Sequence, residues 1–147
     1  MKLTSARDTE ALGAALAARL RRGDVVALDG ELGTGKTTLA RGIARGLGFN
    51  GEVASPTFPI VQIYDEPEMR IPLWHVDLYR IEDQDELTEL GLEEAREVAA
   101  LVIEWPDRLG AGLWPDALRL EIRRAGAGVR ALTAHVPPAW EGRWPLR

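Results

Sequence analysis

The chain of 147 residues contains no cysteine, two histidines and two lysines, and no apolar run approaches the about 18 residues that a membrane-spanning helix requires. Without cysteine there are no disulfides and no thiolate metal sites; His75 and His135 alone remain as soft ligands, which argues against zinc. Met1-Lys2-Leu3-Thr4-Ser5 lacks the apolar core of a signal peptide, so the expected location is cytoplasmic. The net charge of -5 leaves no basic surplus for broad electrostatic contact with nucleic acid, and any RNA is expected to be held through a partner.

What is present is an ordinary globular composition, 46% hydrophobic and 28% charged, with no repeat, low-complexity tract or linker. A single domain over residues 1–147 is expected. Positive charge comes almost wholly from arginine, so the lysine at position 36 stands out; the other is Lys2.

Lys36 lies in Gly30-Glu31-Leu32-Gly33-Thr34-Gly35-Lys36-Thr37, a complete match to the phosphate-binding pattern G-x-x-x-x-G-K-[ST]. At average residue usage the four fixed positions coincide in about half a percent of chains this long. Glycine lets successive N–H groups turn toward one anion, Lys36 supplies a mobile charge for the outer phosphates, and the Thr37 hydroxyl can replace a water on Mg²⁺. Thr38 offers a second hydroxyl. Val25 to Leu28 reads as a buried strand feeding this loop and Thr37 to Leu47 as the helix leaving it, so that the helix N-terminus adds positive potential. Lys36 is expected to be exposed at the loop.

Before that strand, Ser5-Ala6-Arg7-Asp8 resembles a capping box, and Leu12, Leu16 and Leu20 form the apolar stripe of a helix. Its first turn either lies near a nucleotide base or is explained by capping and packing alone. After the phosphate helix, Ser55-Pro56-Thr57-Phe58 is either a strand entrance or a place where Thr57 meets Mg²⁺ or the γ-phosphate. Ile60 to Tyr64 and Ile71 to Val76 flank an acidic turn and read as an antiparallel hairpin.

Two apolar runs deliver carboxylates. Ile71 to Val76 ends at Asp77, and Ala99 to Ile103 ends at Glu104, the general form of the acid that reaches Mg²⁺ or water beside a phosphate loop. Trp105 and Pro106 either seal the strand end or stand at the nucleotide. The acidic stretch 83–94 reads as a helical, solvated face, and Ala117 to Arg123 with Val129 to Val136 as a terminal hairpin. The segment 137–147, with Trp140 and Trp144, reads as a loosely ordered tail or a contact segment. These elements specify an α/β fold: a three-layer, P-loop NTPase-like arrangement with a mixed, mainly parallel sheet and antiparallel hairpins.

Taken in order, the phosphate loop with Thr38 and Arg41-Gly42, Gly46-Leu47-Gly48, Ser55-Pro56-Thr57-Phe58, His75-Val76-Asp77-Leu78-Tyr79-Arg80, Glu89-Leu90-Gly91-Leu92 and Ile103-Glu104-Trp105-Pro106 resemble the TsaE (YjeE) family of bacterial tRNA threonylcarbamoyladenosine biosynthesis. The resemblance implies ATP at residues 32 to 37, comprising Leu32, Gly33, Thr34, Gly35, Lys36 and Thr37. It further implies Mg²⁺ at Thr37 and Glu104, a role in hydrolysis for Asp77, a switch-like loop around Thr57 and a place near the nucleotide for Trp105. The partners it implies are TsaD, which transfers the threonylcarbamoyl group, and TsaB, which pairs with TsaD. Asp107 stands where the family often has Glu, and Ala111 to Pro115 varies a looser segment. Two rivals differ in class: a nucleotide-dependent binding module with negligible hydrolysis, and a small-molecule kinase, for whose arginine-rich substrate lid the region after Glu104 offers only Arg108 before Arg119. A GTPase lacks its guanine-reading Asn-Lys-x-Asp segment, so ATP is expected to be preferred over GTP.

Overall fold

The computed structural model describes residues 1–31, 33–52, 60–112 and 114–144. Its sheet has the order β1-β7-β6-β2-β5-β4-β3, built from β1 (Lys2–Leu3), β2 (Val25–Asp29), β3 (Val61–Tyr64), β4 (Leu73–Asp77), β5 (Ala100–Glu104), β6 (Leu118–Gly126) and β7 (Val129–His135). The four inner strands β6, β2, β5 and β4 run parallel. The β3–β4 and β6–β7 hairpins are antiparallel, as their short connections require, and β1 pairs antiparallel with β7. The α/β fold with a mixed, mainly parallel sheet is therefore the observed one.

Strand alternation divides the core between two faces. Val26 and Leu28 of β2 and Val102 of β5 join Leu12 and Leu16 of α1 (Ala6–Ala17) and Leu39 and Ile43 of α2 (Lys36–Gly46). On the opposite face, Val25, Leu101, Ile103 and Val76 pack with Leu87 of α3 (Gln84–Glu89) and with Leu92 and Ala95 of α4 (Leu92–Ala95). The acidic stretch is thus more than a solvated face: Gly91, at φ 67°, breaks it into two short helices that each bury an aliphatic side chain.

α1 begins at Ser5, whose side chain accepts from the Asp8 amide at 3.1 Å, while the Asp8 carboxylate reaches back to the Thr4 amide at 2.9 Å and hydroxyl at 2.6 Å. This is the expected cap, reciprocated one residue earlier. Of the two readings of the tail, a loosely ordered segment or a contact segment, the first does not hold for its described part, 137–144. Pro138–Trp140 forms a 3-10 turn, Trp140 is completely buried, and Arg143 grips Asp24 through both guanidinium nitrogens at 2.6 and 3.1 Å. A large indole and a bidentate ion pair order Pro137 to Trp144 where composition alone suggested looseness.

Candidate functional site

Because β2, β5 and β4 are parallel, their C-terminal ends lie on one edge of the sheet, the place where α/β folds gather ligands. β2 ends at Asp29 and hands the chain to the phosphate loop, which feeds α2; β5 ends at Glu104 and β4 at Asp77, paired in register with each other. A cleft of about 340 Å³ opens there, and Gly33, Thr34, Gly35, Lys36, Thr37, Thr38, Asp77 and Glu104 line it. Eight of the expected site positions are thereby brought together. Leu32 and Thr57 lie outside the described residues.

The loop's shape depends on its glycines. Gly33 and Gly35 take φ values of 78° and 105°, which residues with a Cβ resist. Gly35 caps α2 without a side-chain hydrogen bond, so the first turn of α2 presents its N–H groups to the cleft without a competing acceptor from its own cap. Thr34 is buried with its hydroxyl donating to the Glu31 carbonyl at 2.8 Å, which makes it a brace for the loop.

Lys36 is buried, not exposed as the sequence suggested. Its ammonium donates to the Gly30 carbonyl at 2.6 Å, lies 3.9 Å from Glu104 Oε1 and sits 4.3 Å from the centroid of the Trp105 ring. α2 begins at Lys36 itself, and the side chain reaches back to the first residue of the loop it belongs to. Burial pushes its pKa down, against the pull of Glu104, Asp77 and Asp29. An ammonium held this way gains from an incoming anion.

The two acids differ. Asp77 is half-buried and accepts from the Tyr79 amide at 3.0 Å. Burial raises its pKa, with the nearby Glu104 adding to the effect, while the Tyr79 amide, Lys36 and His75 oppose it. Glu104 is buried and its Oε2 accepts from His75 Nε2 at 2.6 Å. Trp105, next along, has φ 58° and is the one non-glycine residue with positive φ among the described residues. It touches Lys36 and Tyr79, the latter with ring centroids 5.0 Å apart, and borders an adjoining cavity with Asp29, Gly30 and Glu31.

Two residues here were given no role at this site from the sequence, although His75 opens one of the motifs that carry the resemblance. His75 pairs with Glu104 across two strands, 29 positions apart in the chain. Arg130 of β7 donates to the carbonyls of Thr34 at 3.2 Å and Gly33 at 3.3 Å, bringing the terminal hairpin against the phosphate loop as the cleft's far wall. The near wall is the first turn of α1, through Ser5, Ala6 and Thr9.

Among the described residues, no group of three or more His, Asp or Glu side chains could hold an ion by itself. The hydroxyl of Thr37 and the carboxylates of Glu104 and Asp77 nevertheless share the cleft. That donor set fits Mg²⁺, a hard cation that takes one or two carboxylates together with substrate phosphates and water rather than an all-protein cage.

Comparison with known proteins places this chain in a family. The model for "Threonylcarbamoyl adenosine biosynthesis protein TsaE" matches residues 3–132. The chain is 43% identical over 135 residues to the tRNA threonylcarbamoyladenosine biosynthesis protein TsaE of Streptomyces coelicolor, covering 90% of this chain and 91% of that one. It is 39% identical over 127 residues to the Bacillus subtilis protein of the same name, covering 86% and 78%. The fold is similar to a crystal structure of Bacillus subtilis YdiB, with a TM-score of 0.81 and 31% identity over 97% of this chain and 88% of that one. The agreement of sequence, over most of both partners, with fold means that this chain belongs to the TsaE family.

Proposed function

We propose that the chain is the Mg²⁺-dependent, ATP-binding and ATP-hydrolysing component of the machinery that makes N6-threonylcarbamoyladenosine in tRNA, and that it supports turnover of a TsaB–TsaD assembly. The observation that carries this is the convergence of a buried lysine, an open helix N-terminus and two strand-end acids on one cleft. The tRNA names of the relatives supply the pathway.

In this reading, the loop amides from Gly33 to Thr38 and the start of α2 receive the phosphates, and Lys36 exchanges its Gly30 carbonyl for phosphate oxygens. Thr37 and Glu104 hold Mg²⁺, which when bound neutralises charge developing on the phosphates. Asp77, at the neighbouring strand end, orients the attacking water. Its raised pKa suits a group that handles a water proton. Trp105 limits how far Lys36 can move, and Thr57 is assigned the switch-like loop that registers the γ-phosphate. Transfer of the threonylcarbamoyl group belongs to TsaD, and tRNA is met only through the complex, in keeping with the net charge of -5. No helix among the described residues is long and apolar enough to cross a membrane.

The test is retention of the chain by purified TsaB and TsaD in ATP, ADP and no nucleotide, together with phosphate release in their presence. Nucleotide-dependent retention with accelerated phosphate release is expected. Retention without release would favour the binding-module reading, and phosphorylation of a small molecule without retention would favour a kinase.

A further inference from the structure

We propose that His75 is a positioning residue that holds the Glu104 carboxylate in its metal-binding orientation and keeps it from closing onto Lys36. This rests on the Mg²⁺ reading of Glu104 given above.

His75 and Asp77 share one face of β4, and Val102 and Glu104 share the same face of β5, with His75 beside Val102 and Asp77 beside Glu104. Two residues along a strand are about 7 Å, so His75 lies one tier beneath the acids, level with the core residue Val102 and one tier above Leu73. It is completely buried, and its Nδ1 has no hydrogen-bond partner among the described residues. An apolar side chain there would remove the costly unpaired Nδ1 but would also strip the buried Glu104 Oε2 of its donor. What histidine adds is one bond: Nε2–H donating to Glu104 Oε2 at 2.6 Å.

That bond matters because of what lies on the other oxygen. Glu104 Oε1 is 3.9 Å from the Lys36 ammonium, and both side chains are only 4% exposed. A carboxylate and an ammonium screened so little from each other would ordinarily close to about 2.8 Å. With Oε2 held by His75, the carboxylate cannot rotate to do so. Oε1 then stays at the edge of the cleft and Lys36 stays available to phosphate. A histidine that fixes a ligating carboxylate from behind is the arrangement by which outer residues tune metal affinity, typically by 10–100-fold.

The experiment is equilibrium titration with a fluorescent ATP analogue, in Mg²⁺ and in EDTA, on wild type, His75→Leu, His75→Gln, His75→Asn and Glu104→Gln, with melting curves of each free protein. The quantity read is the ratio of affinity with Mg²⁺ to affinity without it. His75→Leu should lose about tenfold of that ratio. His75→Gln, whose amide nitrogen falls near the position of Nε2, should recover most of it, and His75→Asn, one methylene shorter, should not. A merely structural histidine would lower the melting temperature and leave the ratio unchanged. A wild-type ratio in His75→Leu overturns the proposal, as do equal ratios in His75→Gln and His75→Asn, a comparison that decides the matter even if His75→Leu does not fold. A Glu104→Gln protein that retains the full ratio would instead overturn the underlying Mg²⁺ assignment.

Discussion

At the level of single residues, Asp77 and Glu104 look alike in sequence, each a carboxylate after an apolar strand, and the structure separates them. Glu104 is buried and held by His75, whereas Asp77 is half-buried with a pKa raised chiefly by burial. Between the ordinary carboxylate pKa and the raised one, the folded state binds more proton than the unfolded state, so Asp77 lowers stability as pH rises through that window. Asp77→Asn should therefore melt higher than wild type near pH 7, with the difference shrinking toward about pH 4. Its amide oxygen can still accept from Tyr79. The same variant should bind Mg²⁺ and ATP but hydrolyse slowly, since orienting water acts on the transition state. Glu104→Gln should mainly weaken Mg²⁺-dependent binding, because an amide is a poorer ligand for a hard dication. Titrations with and without Mg²⁺, paired with turnover, check the division, and a reversed pattern would exchange the two roles. The residues that carried legible chemistry did so through fixed local spacing: the glycines, Lys36 and Thr37 are neighbours in the chain. The contacts of His75 and Arg130 were not legible, because their partners Glu104, Gly33 and Thr34 are set by strand register and hairpin placement.

Among the elements, α1 and α2 form the helical layer above the cleft, and glycine sets their separation. A Cβ on Gly13 would stand 2.6 Å from the Leu39 carbonyl, one on Gly46 would stand 2.6 Å from the Ala17 methyl, and one on Gly42 would run into the Glu10 carbonyl. Gly42→Ala should thus force the helices apart and cost about 1–3 kcal/mol of stability. It should also weaken ATP binding, because α1 supplies the cleft wall at Ser5, Ala6 and Thr9. Chemical denaturation and nucleotide titration of this variant check both effects, and wild-type stability would mean that the helices can shift freely. Apolar periodicity made α1, α2, β2 and β5 readable, but it carried no information on this close approach. β1, two residues long, is shorter than any period, and it forms because β7 offers an unpaired edge.

For the molecule as a whole, the chain's last described segment is tied to the far end of the central strand. Arg143 binds Asp24, just before β2, and stands 4.0 Å from the Trp140 ring. The phosphate loop follows the other end of β2, about 16 Å away for a strand of this length. Trp140→Ala should therefore cost about 3–5 kcal/mol of stability while leaving the ATP affinity of the folded protein near wild type, as denaturation followed by titration would read. This staple was hidden in the sequence because proline and arginine surround the tryptophans and mask a buried contact as a polar tail. Sheet order and strand direction bring Lys36, Asp77 and Glu104 to one edge, and the central claim is that this edge binds the phosphates of ATP. Equilibrium titration of Mg²⁺-ATP against wild type and Lys36→Ala tests it most directly. Saturable binding by wild type is expected, with at least about a tenfold loss in the variant, the scale of one charged hydrogen bond, and both proteins folded; equal affinities would contradict phosphate binding at this edge.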